Sequence, residues 1–134
     1  MPVLGCKNRM KKTEALILAE KKYGFNLNNE NSHFSSVNSA KPVWWFEIPL
    51  SKIENNEFQF INLVAEQSGD ILLFQVPVIF FRDNLSGFKF RPVKQMICLE
   101  IDIFTFQNRV GPARQDFKQF LLEKNHQTPT NGCS

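Results

Sequence analysis

Tyrosine is nearly missing from this 134-residue chain, with one Tyr against fourteen Phe. Phenylalanine buries a large apolar ring and carries no polar handle, so such a set reads as core before it reads as a recognition surface. Cysteine is sparse. Cys6, Cys98 and Cys133 are odd in number, widely spaced and form no C-x-x-C pair, which argues against a disulfide framework and against a zinc site. No apolar run approaches the roughly 20 residues of a membrane-spanning helix. The opening MPVLGCKNRMKK lacks the apolar stretch of a signal peptide, so no membrane partner and a reducing, cytoplasmic setting are expected. The chain also has no P-loop, G-x-G-x-x-G, H-E-x-x-H or G-x-S-x-G, and no E-x-K motif on a convincing strand. No cofactor is expected.

What remains is ordinary globular composition, 43% hydrophobic and 22% charged. The length fits one domain, taken as residues 1–125 with a flexible tail at 126–134. The net charge of +3 is unevenly placed. Lys7, Arg9, Lys11, Lys12, Lys21 and Lys22 face only Glu14 and Glu20 in the first 22 residues. Residues 41–70 are acidic, and 82–94 turn basic again through Arg82, Lys89, Arg91 and Lys94. Such a dipolar surface permits nucleic-acid contact without requiring it.

Periodicity sets the fold class as α+β: a four- to five-stranded, mainly antiparallel sheet with an N-terminal and a C-terminal helix packed on it. Thr13 is placed to cap a helix over 13–23, with Ala15, Leu16, Leu18, Ala19 and Tyr23 as its stripe and Gly24 just past its end. Ile17 falls off that stripe, which suggests cover on more than one side. Residues 26–40, rich in Asn and Ser, read as a long loop of the functional kind. Strands follow at 42–50 and 96–106, the latter expected to be central. Pro77 opens either a helix over 78–85 or a longer strand, and residues 88–91 read as a short extended piece. A hairpin turning at Ser68-Gly69 satisfies both faces in one register: Ala65 opposite Leu72, Leu63 opposite Phe74, Ile61 opposite Val76, Val64 opposite Leu73 and Asn62 opposite Gln75. Ala113, Phe117, Phe120 and Leu121 suggest a last helix over 112–124.

Candidate chemistry is thin, and each candidate has a plain structural reading. Glu100 and Asp102 are two apart on a strand and share a face, as a pair of magnesium ligands would. The plain reading is a solvated sheet face, and no metal is assigned. His33 is the only histidine outside the tail and is a general-base candidate beside Ser35 and Ser36, though a packed loop histidine explains it as well. A dyad with Cys98 is weaker, because buried cysteines are usually inert. Trp44 and Trp45 must point to opposite faces of their strand, one into the core and the other free to stack on a base or anchor a partner. Phe88-Lys89-Phe90-Arg91 interleaves aromatic and basic residues, as nucleic-acid surfaces and half-buried strands both do.

The function expected from these residues is a small non-enzymatic binding module. Its partner would be nucleic acid or another protein, with nucleic acid slightly favoured through a basic and aromatic surface. The binding residues would be Trp44, Trp45, His33, Asn38, Lys41, Arg82, Lys89 and Arg91. The alternatives are a metal-dependent nuclease using Glu100 and Asp102, or a protein-interaction or assembly subunit.

Overall fold

The computed structural model describes residues 10–123. The expected tail at 126–134 lies outside them, as do Cys6, Cys133 and the lysine and arginine at positions 7 and 9. Helix α1 (Lys12–Tyr23) buries Ala15, Leu16, Ala19 and Tyr23. Its start differs from expectation: no side chain caps it, and Lys11 occupies the N-cap position instead of Thr13. Its end is as expected, with Gly24 at φ +85° donating its N–H to Glu20 O. Ile17 is 54% exposed, so α1 is covered on one side only.

Six strands follow: β1 (Ser32–Ser36), β2 (Val43–Pro49), β3 (Phe60–Gln67), β4 (Asp70–Pro77), β5 (Lys89–Arg91) and β6 (Met96–Asp102). Two short helices interrupt them, α2 (Leu50–Glu54) and α3 (Val78–Asp83). The strands make two three-stranded sheets, β1-β3-β4 and β2-β6-β5, in place of a single sheet of four or five. The sheets meet at a corner where β1 turns into β2, joined by one bridge between Val37 and Trp44. The β3–β4 hairpin has the register read from sequence, from Phe60 opposite Pro77 to Gln67 opposite Asp70. In the second sheet β6 lies centrally, antiparallel to both β2 and β5.

The largest difference from the sequence reading is β1, which lies inside the stretch expected to be a loop. It pairs parallel to β3, Ser32 opposite Asn62 through Ser36 opposite Glu66. Its polar residues conceal it, and Ser32, the one that is fully buried, meets a polar partner. Ser32 and Asn62 are buried, Asn62 Nδ2 donates to Ser32 Oγ (3.4 Å), and Gln75 Nε2 donates to Asn62 Oδ1 (3.5 Å). A ladder of polar side chains thus crosses three strands, where hydrophobic alternation would be the usual sequence signal.

Strand alternation builds three layers. Phe34, Val64, Ile71 and Leu73 face α1. From the opposite face of the same sheet, Ile61, Leu63, Ala65, Phe74 and Val76 meet Trp44, Phe46, Ile48, Ile97, Leu99 and Ile101 of the second sheet. One end of this core is rich in rings: Phe81, Phe88 and Phe117 are buried, and Phe80 lies 4.7 Å from Phe120 between centroids. The phenylalanine excess is mostly this core. Among the described residues no third layer covers the outer face of the second sheet, where Trp45 is exposed and Cys98 is buried between its neighbours.

The expected C-terminal helix does not form. Between 112 and 123 the only helical turn is a 3-10 turn at Lys118–Phe120. The backbone groups of the segment bond to distant parts of the chain: Gln115 O accepts from Asn108 N, Phe117 N donates to Phe106 O and Leu122 N donates to Leu73 O of β4, each at 2.9 Å. Those bonds replace the i to i−4 pattern a helix needs. Strand β6 also ends earlier than expected, at Asp102, whose Oδ1 accepts from Phe104 N (2.7 Å) and Thr105 N (3.0 Å) to fold a tight turn. No helix among the described residues is long and apolar enough to cross a membrane.

Candidate functional site: the outer face of the second sheet

Alternation along β2 and β6 puts Trp44, Phe46 and Ile48 inward and Trp45, Glu47 and Pro49 outward. The tandem tryptophans therefore split as their spacing requires. Trp44 is fully buried, its indole Nε1 donating to Glu66 O at 3.0 Å, and Trp45 is 44% exposed. Trp45 is anchored through its backbone, whose N–H donates to Ser35 Oγ (3.0 Å).

The pairing registers lay out this face in rows. Trp45 lies opposite Glu100, and Glu100 O accepts the backbone N–H of Arg109 (2.8 Å). In the next row Glu47 lies opposite Cys98 and Cys98 opposite Lys89; beyond it Pro49, Met96 and Arg91 align. Arg109, Lys89 and Arg91 thus form a column along one side of β6. They recur at every second residue of that strand, a spacing of about 7 Å, and Trp45 stands on the other side.

Local chemistry holds these groups in place. Asn38 Oδ1 accepts from Ala40 N (2.7 Å) and Lys41 N (3.2 Å), shaping the corner turn that carries Lys41. Lys41 Nζ then reaches Glu100 Oε1 at 2.8 Å. Arg91 pairs with Glu47 at 2.5 Å, with Lys94 at 4.0 Å from the same carboxylate, and Arg109 pairs with Asp102 at 3.6 Å. Lys89 makes no ion pair among the described residues. Five cations, Lys41, Lys89, Arg91, Lys94 and Arg109, thus share the face with three carboxylates, Glu47, Glu100 and Asp102. The backbone amides of Thr105 and Phe104, and secondarily Arg109, hold Asp102 below the usual carboxylate range.

The loop bearing Arg109 is positioned by a buried amide. Asn108 is fully buried, its Oδ1 accepts from Glu100 N (3.1 Å), and its Nδ2 donates to Gln115 Oε1 (2.9 Å). Gly111, at φ +92°, lets the same loop lie against the chain entering β5, where a Cβ would fall 2.7 Å from Lys89 N. Asn108→Ala should cost about 2 kcal/mol, because it removes a buried side chain and leaves the strand amide of Glu100 without its acceptor. Urea denaturation of the variant checks this, and a change below a few tenths of a kcal/mol would refute it.

The expected site residues divide. Trp45, Asn38, Lys41, Lys89, Arg91, Glu100 and Asp102 come together on this face or its corner. Trp44 is core. Arg82 fastens α3 to the end of α2, donating from Nε (3.2 Å) and Nη2 (2.8 Å) to Ile53 O and from Nη2 to Asn56 Oδ1 (3.2 Å). It borders an open groove of about 570 Å³ with Phe58, Phe60 and Ile79. His33 lies on β1, largely buried, where burial and then the charges of Lys52 and Lys12 push its pKa down to about 4. Cys98 is buried beside Glu47 (Sγ to Oε2, 3.9 Å), and burial with that carboxylate raises its thiol, the reverse of an activated thiolate. Among the described residues no group of three or more His, Cys, Asp or Glu is placed to hold a metal ion.

Sequence reasoning missed Arg109 and Phe104. Arg109 joins the column through a register only the folded loop creates. Phe104 is 75% exposed on the turn that Asp102 braces, next to the start of β2, since Ile103 N donates to Pro42 O (3.0 Å). Compared with protein-family models, with curated proteins and with solved structures, the chain matches none of them.

Proposed function

We propose that this protein is a binding module for single-stranded nucleic acid, using the outer face of the β2-β6-β5 sheet. The observation that carries the proposal is the placement of an exposed indole, Trp45, across β6 from the column Arg109, Lys89 and Arg91. Single strands are held by this combination: a π-face on which a base stacks and cations that track the phosphates. Lys41 stands beside Trp45, and Phe104 on its braced turn supplies a second exposed ring. The carboxylates preset the cations and keep the face from being uniformly basic, which favours a chain with exposed bases over a rigid duplex. No bond-making step is assigned to Glu100 and Asp102: each is engaged by a cation, and among the described residues no third ligand accompanies them.

Trp44 is buried, so fluorescence quenching by an oligonucleotide reports mainly on Trp45. Trp45→Ala is expected to weaken binding of a short single strand by about tenfold or more, as stacking supplies roughly 1–3 kcal/mol per base. Lys89→Ala should reduce the slope of log K against log salt by about 0.7. Salt-insensitive binding, or a Trp45→Ala variant that binds as well as the parent, would refute the reading.

A second reading rests on the groove at α3. Phe58 and Phe60 line it with Ile79, which is 57% exposed, and a protein partner is the natural occupant of such a patch. Ile79→Glu leaving nucleic-acid binding intact while abolishing a protein contact would separate the two surfaces.

A further inference from the structure

Away from the tryptophan face, two lysines converge on the turn that leads into β1. Lys12 Nζ, from the first turn of α1, donates to Asn29 O at 3.1 Å. Lys52 Nζ, from α2, donates to Glu30 O, the very next carbonyl. Each ammonium has three donors and spends one there. Asn31 Nδ2 donates to Phe60 O (2.7 Å), which fixes the amide so that its Oδ1 points elsewhere. That Oδ1 and His33 Nε2 are both fully buried, and neither meets a hydrogen-bonding partner among the described residues. Ser32 between them is extended (φ −114°, ψ 131°), so the side chains of Asn31 and His33 project to the same side.

A buried polar atom without a partner is costly. Two on one side of a strand, flanked by two ammoniums from different helices, call for a ligand that is anionic and also carries a hydroxyl. We propose that Lys12, Lys52, Asn31 and His33 form a binding site for a phosphate group, in which the lysines and a protonated His33 Nε2 donate to phosphate oxygens and Asn31 Oδ1 accepts from the phosphate's own P–OH. The charges that reach His33 are both cationic, Lys52 and Lys12, and Lys12 is itself held below the usual lysine range by burial and by Lys52. An anion relieves that repulsion and supplies the charge that lets the imidazole take up a proton. Sulfate has the same tetrahedral shape but no proton to offer Asn31, so the site discriminates by hydrogen-bond donation.

The site does not depend on Trp45, and its test uses phosphate alone. The imidazole signals of His33 are followed by NMR in the full chain from about pH 4.5 to 6.5, with and without inorganic phosphate. The expected result is a saturable shift with the His33 pKa raised by about one unit or more, a differential interaction of about 1.4 kcal/mol. Sulfate should bind at least about fivefold more weakly, and Lys12→Met with Lys52→Met about tenfold or more weakly, with the amide spectrum of the variant reporting its fold. A 5′-phosphorylated dinucleotide compared with its unphosphorylated form separates an ester phosphate from the free ion as the preferred source. No saturable shift in the parent chain at about 20 mM phosphate, where even weak binding would register, overturns the proposal. So does a lysine double variant that is folded and binds equally well. Trp45→Ala should leave this titration unchanged, so its failure and that of the nucleic-acid reading are distinguishable.

Discussion

Trp44→Ala is expected to lower the unfolding free energy by about 4 kcal/mol, the largest single effect of any substitution proposed for this chain. The side chain is fully buried in the inter-sheet core, 6.2 Å from the ring of Phe74 and 6.0 Å from that of Phe106 between centroids. It also ties the sheets together by donating from Nε1 to Glu66 O at the end of β3. Truncation leaves a cavity and an unpaired carbonyl, two costs that add. Trp44→Phe keeps most of the volume and loses the donor, so it should cost about half as much. Trp45→Ala, one residue along and on the wet face, should cost under about 1 kcal/mol. Urea denaturation followed by circular dichroism measures all three. Equal costs at positions 44 and 45 would mean that the in-and-out assignment of β2 is wrong.

Acid should destabilise the protein through His33. Its pKa falls from 6.5 to about 4 in the folded chain, first through burial and then through Lys52 and Lys12. The unfolded chain therefore binds a proton that the native state refuses between those two values. Stability from this group is fully present above about pH 6.5 and is lost as pH falls toward 4. The loss amounts to about 3 kcal/mol over the whole window. Carboxylates begin to titrate in the same range, and the depressed Asp102 adds its own loss at still lower pH, so the informative quantity is the difference between the parent and His33→Gln. The variant should show a flatter profile between pH 6.5 and 4. If the two profiles run parallel, His33 is not buried as a neutral imidazole. Phosphate at the site inferred above should reduce the acid loss in the parent, because the anion stabilises the protonated ring.

The proposed surface was partly legible in the sequence because its essential division is local. Alternation fixes that Trp44 and Trp45 oppose each other and that Glu100 and Asp102 share a face, whatever the rest of the chain does. Lys89 and Arg91 were recognisable as a pair for the same reason. Proximity in sequence groups Arg82 with them, but its guanidinium instead closes the α2–α3 junction.

Short-range pattern alone determined the β3–β4 register, the inward face of β6, the stripe of α1 and the left-handed glycine that ends it. Each rests on a period or a backbone requirement contained within a few residues. Tertiary structure alone decided the rest. Strand β1 exists because Ser32 finds Asn62 across the sheet, and no hydrophobic period announces such a pairing. The helical spacing of Phe117, Phe120 and Leu121 yields a single 3-10 turn and no α-helix, because the amides of Phe117 and Leu122 bond to Phe106 O and Leu73 O. The single sheet became two because β1 and β2 part after one bridge, letting the inner faces close on each other. His33 became a charged-cluster residue only when two helices brought Lys12 and Lys52 to the turn before it. Local alternation chooses which side of a strand a residue occupies; long-range pairing chooses what it meets there.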